Sequence, residues 1–167
     1  AARTGPGGMG GREARDGAWL GLLNGRAYVA GWTVAVSAGG TREPGDPVRF
    51  IGNRSSGRRG VGLAVAAAQR GARVLLAAAN IEADILRDAE LPGIEITKVG
   101  SAADLSTVMR RAADTADIII MAAAVADFRV AEVSDDKLTK EACAPPTITL
   151  VENADIGAGL AERGLLY

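Results

Sequence analysis

The sequence predicts a three-layer α/β fold, with a mostly parallel sheet covered by helices on both faces. Three observations predict it. The strand-like runs lack polar alternation, helix-like segments separate them, and 22 glycines with abundant alanine suit close helix–sheet packing. The elements follow in order. Residues 33–37 form a short apolar strand, 60–70 a helix closed by Gly71, 73–78 a second strand and 94–99 a third. Residues 101–113 read as a helix with Ser101 as N-cap, 116–122 as a buried strand and 147–151 as another strand of the same sheet. Gly57, Gly60 and Gly62, at or inside the first helix, read as close packing against the sheet.

At 167 residues one domain is expected. Residues 32–167 are assigned to it, and 1–31 to a linker-like segment. Within that segment, 1–11 is expected to be disordered, and the stretch with Trp19, Leu20, Leu22 and Leu23 to pack on the domain as a short helix or strand. Nineteen basic and 20 acidic residues give a formal charge of −1, which offers no electrostatic case for nucleic acid or an anionic membrane. Six aromatic residues leave little for stacking bases in series. Histidine is absent, which removes the commonest general base and most zinc sites. A single cysteine, Cys143, reads as an incidental thiol that fits a reducing, cytoplasmic setting. No apolar stretch approaches a membrane span.

In parallel sheets of this kind ligands bind beyond the strand C-terminal ends. Three of those ends carry motifs: Gly39-Gly40 after the first strand, 122–127 after the run IIIMA, and 153–156 after TLV. The first is the richest. Between strand and helix, VAVSAGGTREPGDPVRFIGNRSSG (34–57) combines a glycine turn, the hydroxyl of Thr41, the donors of Arg42, stiffening Pro44 and Pro47, and then Asn53, Ser55, Ser56 and Gly57 at a helix start. Such a loop is suited to phosphates or carboxylates. A dinucleotide fingerprint does not fit it, because GxGxxG is missing at the strand-to-helix turn and the second strand ends in Ala77-Ala78-Ala79-Asn80 without an acid. A Walker lysine loop is also absent.

Taken together, GGTREPGDPVRFIGNRSSG (39–57), MAAAVADFR (121–129) and DKLTK (136–140) resemble phosphopantothenate–cysteine ligase of coenzyme A biosynthesis. The likeness is to the actinobacterial form, usually the C-terminal half of a bifunctional protein with a flavin-dependent decarboxylase as its N-terminal half. It covers about residues 33–163, and the three blocks stand in the family's order.

The resemblance implies a Rossmann-like fold and a two-step reaction. The carboxylate of 4′-phosphopantothenate attacks CTP, with Mg²⁺, to give an acyl-cytidylate and pyrophosphate; the amine of L-cysteine then displaces CMP. No protein nucleophile is needed, only charge neutralisation, positioning and exclusion of water. Asn53 matches an asparagine that contacts the acyl group, and Lys137 a lysine on the nucleotide phosphates. Met121, Ala122, Ala123, Asp127, Asn153, Ala154, Asp155 and Ile156 match nucleotide-contacting positions, with Asp127 also a candidate to help hold the cation. Gly39, Gly40, Thr41, Arg42, Asn53, Ser55, Ser56 and Gly57 are assigned to the phosphate and phosphopantothenate. No flavin is expected in this portion, and a homodimer is implied, extending from the sheet through residues 127–147.

Departures are local. The family's KIKK is here Lys137-Leu138-Thr139-Lys140, its asparagine-proline-aspartate-isoleucine turn has Ala154 for proline, and Arg58 is the basic residue after the double serine. Family members continue past Tyr167 with a further strand and a CTP-contacting region. The sheet is therefore expected to be incomplete on its C-terminal side, with an apolar edge and an open cytidine pocket. Two other readings accompany the ligase: a binding-only module retaining the phosphate loops, and a nicotinamide-dependent oxidoreductase, which the missing fingerprint disfavours.

Overall fold

The computed structural model describes residues 29–139 and 147–161. The expectations for residues 1–28, with Trp19, and for Cys143 lie outside the described residues. A four-stranded parallel sheet forms the centre, in the order β5-β4-β1-β6, where β1 is Thr33–Gly39, β4 Arg73–Ala79, β5 Ile94–Val99 and β6 Ile118–Met121. The register runs from Thr33 opposite Arg73 to Gly39 opposite Ala79, and from Val34 opposite Ile118 to Ser37 opposite Met121.

Both faces of β1 are buried, which is why its sequence lacks polar alternation. Val34, Val36 and Ala38 face one core with Val74, Leu76 and Ala78, covered by α1 (Arg58–Gln69) and by α2 (Ala83–Leu86) with its 3₁₀ continuation (Arg87–Ala89). Ala35 and Ala77 face the other core with Leu105 and Met109 of α3 (Ala102–Ala113) and Ile156 and Leu160 of α4 (Ile156–Ala161). These layers match the expected three-layer α/β class. The expected Ser101 cap is a full capping box: the Ser101 hydroxyl accepts from Asp104 N–H at 3.2 Å, and the Asp104 carboxylate accepts from Ser101 N–H at 3.0 Å.

Two expectations are corrected. The strand read at 147–151 does not join the parallel sheet. It appears as β8 (Leu150–Glu152), paired antiparallel with β7 (Phe128–Val130) outside the main sheet. A short apolar run carries no mark of its ladder, and here 150–152 takes 128–130 as its antiparallel partner in place of a strand of the parallel sheet. The second correction concerns Gly62. A Cβ on Gly60 would lie 2.4 Å from Ala38 Cβ, whereas one on Gly62 meets nothing within 4 Å. Residues two apart on a helix are about 200° apart around its axis, so both cannot face the sheet. Among the described residues β6 is an edge of the sheet, with Ile119 buried and Ile118, Ile120 and Met121 half-buried rather than openly apolar.

Candidate functional site

The loop between β1 and α1 holds a short antiparallel hairpin, β2 (Arg42–Pro44) with β3 (Phe50–Gly52). Gly39 (φ 88°) and Gly40 are required at its root by close approach: a Cβ would fall 1.9 Å from the Ala79 carbonyl oxygen at Gly39, and 2.7 Å from that of Asn53 at Gly40. The chain enters a hairpin instead of a helix after β1, so the dinucleotide arrangement of strand, tight turn and helix is not present here.

This loop braces the segment 121–127 that follows β6. Ser37 Oγ accepts from the N–H groups of Ala122 and Ala123 at 3.1 and 3.2 Å, and the Gly39 carbonyl accepts from Ala124 N–H at 2.7 Å. Thr41 N–H donates to the Ala124 carbonyl at 3.2 Å, and Thr41 Oγ1 accepts from Ala126 N–H at 2.9 Å. Asn53 Nδ2 donates to the Val125 carbonyl at 2.9 Å, and Asn153 Nδ2 to that of Ala126 at 2.8 Å. The result is a rigid backbone shelf. Thr41, expected to offer its hydroxyl to a ligand, is instead fully buried and uses it on the shelf. Arg42 lays its guanidinium over the Phe50 ring, 4.6 Å from the centroid.

Beside the shelf lies a cleft of about 460 Å³. Met121, Ala123, Asp127, Asn153, Ala154, Asp155 and Ile156 all line it, so two segments some thirty residues apart in sequence form one wall. Ala122 stands behind, with its N–H turned to Ser37. Asp155 Oδ1 accepts from Ala158 N–H at 2.9 Å and so caps α4. At the start of α1 the N-cap is Gly57 (φ 77°) rather than a serine. The Ser55 and Ser56 hydroxyls only approach the N–H groups of Gly57 and Arg58, at 3.4 and 3.5 Å. Lys137 is exposed and does not line the cleft.

A family model described as the DNA/pantothenate metabolism flavoprotein C-terminal domain matches residues 29–165, most of the chain. The chain belongs to this family. Relatives include the coenzyme A biosynthesis bifunctional protein CoaBC of Mycobacterium tuberculosis, 51% identical over 134 residues, and that of Escherichia coli, 38% identical over 130. These alignments cover 80% and 77% of this chain and 31% of each relative, so the chain spans about a third of their length. The crystal structure of the C-terminal domain of a CoaBC superposes with a TM-score of 0.64 at 31% identity, over 80% of this chain and 59% of that one. A mutant Cab2 in complex with phosphopantothenate-cysteine shares the fold at TM-score 0.64 and 17% identity, over 92% and 65%.

Within this family member, several bracing residues escaped the sequence reading. Asn80 adopts a positive φ of 49°, and its amide donates to the carbonyls of Gly40 (2.9 Å) and Gly100 (2.8 Å), tying three strand ends together. Its signal was a lone asparagine closing an alanine run. Glu43, 3% exposed, accepts from Ala102 N–H at 2.9 Å and joins the hairpin to the start of α3. Asp46 is also buried. Burial pushes its carboxyl up, but the N–H groups of Val48, Leu138 and Arg49 and the Arg49 guanidinium together bring it below its ordinary value. The GDP tripeptide at 45–47 was the signal, since aspartate before proline favours a turn.

Proposed function

We propose that the chain is the ligase portion of a coenzyme A biosynthesis enzyme: it activates the carboxylate of 4′-phosphopantothenate with CTP and joins it to L-cysteine as an amide. The observation that carries this reading is the shelf 121–127, which forms one cleft with 153–156 and is fastened to the phosphate-loop residue Asn53. In this reading the nucleotide lies against Met121, Ala123 and 153–156, where small side chains let it approach the backbone. The start of α1, with Ser55, Ser56 and Gly57, takes a phosphate through the N–H groups of its first turn and the two serine hydroxyls. Asn53 stands where the acyl group forms, with its amide nitrogen already fixed on Val125. Lys137 supplies a compact positive charge to the leaving pyrophosphate.

Among the described residues no three acidic, histidine or cysteine side chains cluster to hold a metal. In this reading Mg²⁺ arrives on the triphosphate, since it commonly uses one or two carboxylates plus substrate phosphates. Asp127, exposed on the cleft wall, is the carboxylate for that role. Held there, the cation would supply positive charge against the triphosphate. Among the described residues no helix is long and apolar enough to cross a membrane.

A homodimer belongs to the same reading. Phe50, Ile51, Ile148 and Leu150 are 54, 36, 50 and 45% exposed, on the hairpin and on β8 with the residues that lead into it, outside the main sheet. A second copy covering these side chains would bury them as an ordinary interface core. The decisive experiment is pyrophosphate release by this chain with CTP, Mg²⁺ and 4′-phosphopantothenate, with and without cysteine, and with ATP in place of CTP. Release that requires phosphopantothenate and prefers CTP is expected. Release that ignores phosphopantothenate would overturn the reading.

A further inference from the structure

Asp46 is 4% exposed and lies in the turn between β2 and β3, with no part in the cleft. One oxygen serves the turn itself: Oδ1 accepts from Val48 N–H at 2.8 Å and Arg49 N–H at 2.7 Å. The other reaches across the molecule. Oδ2 accepts from the Arg49 guanidinium and, at 3.2 Å, from the N–H of Leu138, 92 residues further on. Arg49 Nη2 donates to the Leu138 carbonyl at 3.0 Å. Two side chains of one turn thus hold both polar groups of Leu138. A third tie comes from Ser134 N–H, which donates to the Gly45 carbonyl at 3.0 Å, while Ser134 Oγ donates to the Asp136 carbonyl at 2.7 Å.

The segment 134–138 is therefore strapped onto the hairpin turn, and Lys137 immediately precedes the Leu138 anchor. Lys137 is exposed and makes no hydrogen bond of its own to the described residues. A lysine ammonium sits on a flexible four-carbon stem, so its placement depends on where its backbone is fixed. We propose that Asp46 is a positioning residue for Lys137: with Arg49 it fixes the Leu138 peptide, and so sets where the Lys137 ammonium meets the triphosphate. This rests on the reading of Lys137 as the residue that neutralises pyrophosphate. Held below its ordinary range by these donors against the opposing effect of burial, the Asp46 carboxyl stays anionic throughout neutral pH, as the anchor requires.

Asp46→Ser tests it, because a serine hydroxyl can still accept from the Val48–Arg49 turn but has no second oxygen for Leu138. Asp46→Asn, which keeps the shape and removes the charge, is the second variant. Amide hydrogen exchange is followed in a peptide covering 134–139, with α1 and β4 as internal measures of folding. Pyrophosphate release is measured for the unsubstituted chain, both variants, Lys137→Gln and the double variant Asp46→Ser/Lys137→Gln. In both Asp46 variants exchange across 134–138 should rise about tenfold while α1 and β4 stay unchanged. The kcat should fall about tenfold at constant KM for phosphopantothenate, and the double variant should be no slower than Lys137→Gln. Unchanged exchange, or losses that multiply in the double variant, would overturn the proposal. Normal release by Lys137→Gln, or no release by the unsubstituted chain, defeats the reading of Lys137 and the positioning role built on it; the exchange arm still decides separately whether Asp46 anchors the strap.

Discussion

Gly60→Ala probes the joint on which the phosphate end of the site depends. A Cβ at position 60 would stand 2.4 Å from Ala38 Cβ, 3.0 Å from its Cα and 3.1 Å from the Ser37 carbonyl oxygen. None of these atoms belongs to a side chain that can rotate away, and Ala38 is fully buried on β1. Ordinary carbon contacts lie near 3.5–4.0 Å, so α1 must lift from the sheet by about 1 Å. Overpacking of this kind costs about 1–3 kcal/mol, against which alanine returns about 1 kcal/mol in helix propensity. A net loss of up to about 2 kcal/mol follows. Gly62→Ala is the internal control, since nothing lies within 4 Å and propensity alone should stabilise by about 1 kcal/mol. Urea unfolding of the two variants reads the difference, which has opposite sign at two positions one residue apart from being neighbours. Lifting α1 also shifts Ser55–Gly57 from the shelf, so CTP and phosphopantothenate binding should weaken in Gly60→Ala and not in Gly62→Ala. A Gly60→Ala chain stabilised as much as Gly62→Ala, at equal m-value, would refute the packing argument.

Thr41→Val removes the acceptor for the buried Ala126 N–H and should cost about 1–3 kcal/mol, with faster exchange at that amide; Thr41→Ser should keep the amide protected. Equal protection in both would remove Thr41 from the shelf. For Asn53→Asp, the carboxylate would face the Val125 carbonyl without a donor, and acyl-cytidylate should still form while its conversion to amide slows, as read in single-turnover assays. An unchanged rate of cysteine addition would count against Asn53. Lys137→Gln should fail earlier, with pyrophosphate release reduced, and normal release would exclude it from activation. The N–H and hydroxyl of Ser101, with the N–H of Gly100 and against the opposing effect of burial, hold the Asp104 carboxyl below its ordinary value of 3.8. A folded value below the unfolded one means that this contribution is fully present above the unfolded value and is lost as pH falls through the folded one. Protection in the first turn of α3 should therefore hold down to about pH 4 and fall below it, and an Asp104 titration at or above the ordinary value by NMR would contradict the capping box.

The strand-end motifs at 39–42, 121–127 and 153–156 were legible as a site because the rule they obey is local: polar and glycine residues directly after an apolar strand. Their assembly was not. Which carbonyl Asn53 or Asn153 grasps depends on backbone brought from 72 and 27 residues away, and no spacing encodes it. For the same reason Thr41 looked like a ligand hydroxyl, although its burial is decided by the chain that passes over it.

By itself the sequence determined the layer order, the Ser101 cap, the dinucleotide fingerprint's absence and the family motifs, all of which depend on residues within a few positions of one another. Tertiary structure alone decided that 150–152 pairs with 128–130, that Gly60 touches the sheet while Gly62 does not, and that Asp46 holds Leu138. The physical reason is the same in each case. A hydrogen-bond ladder, a helix contact or a buried carboxylate acquires its partner only when distant segments meet, and a run of four apolar residues or a single aspartate is compatible with many partners until packing selects one.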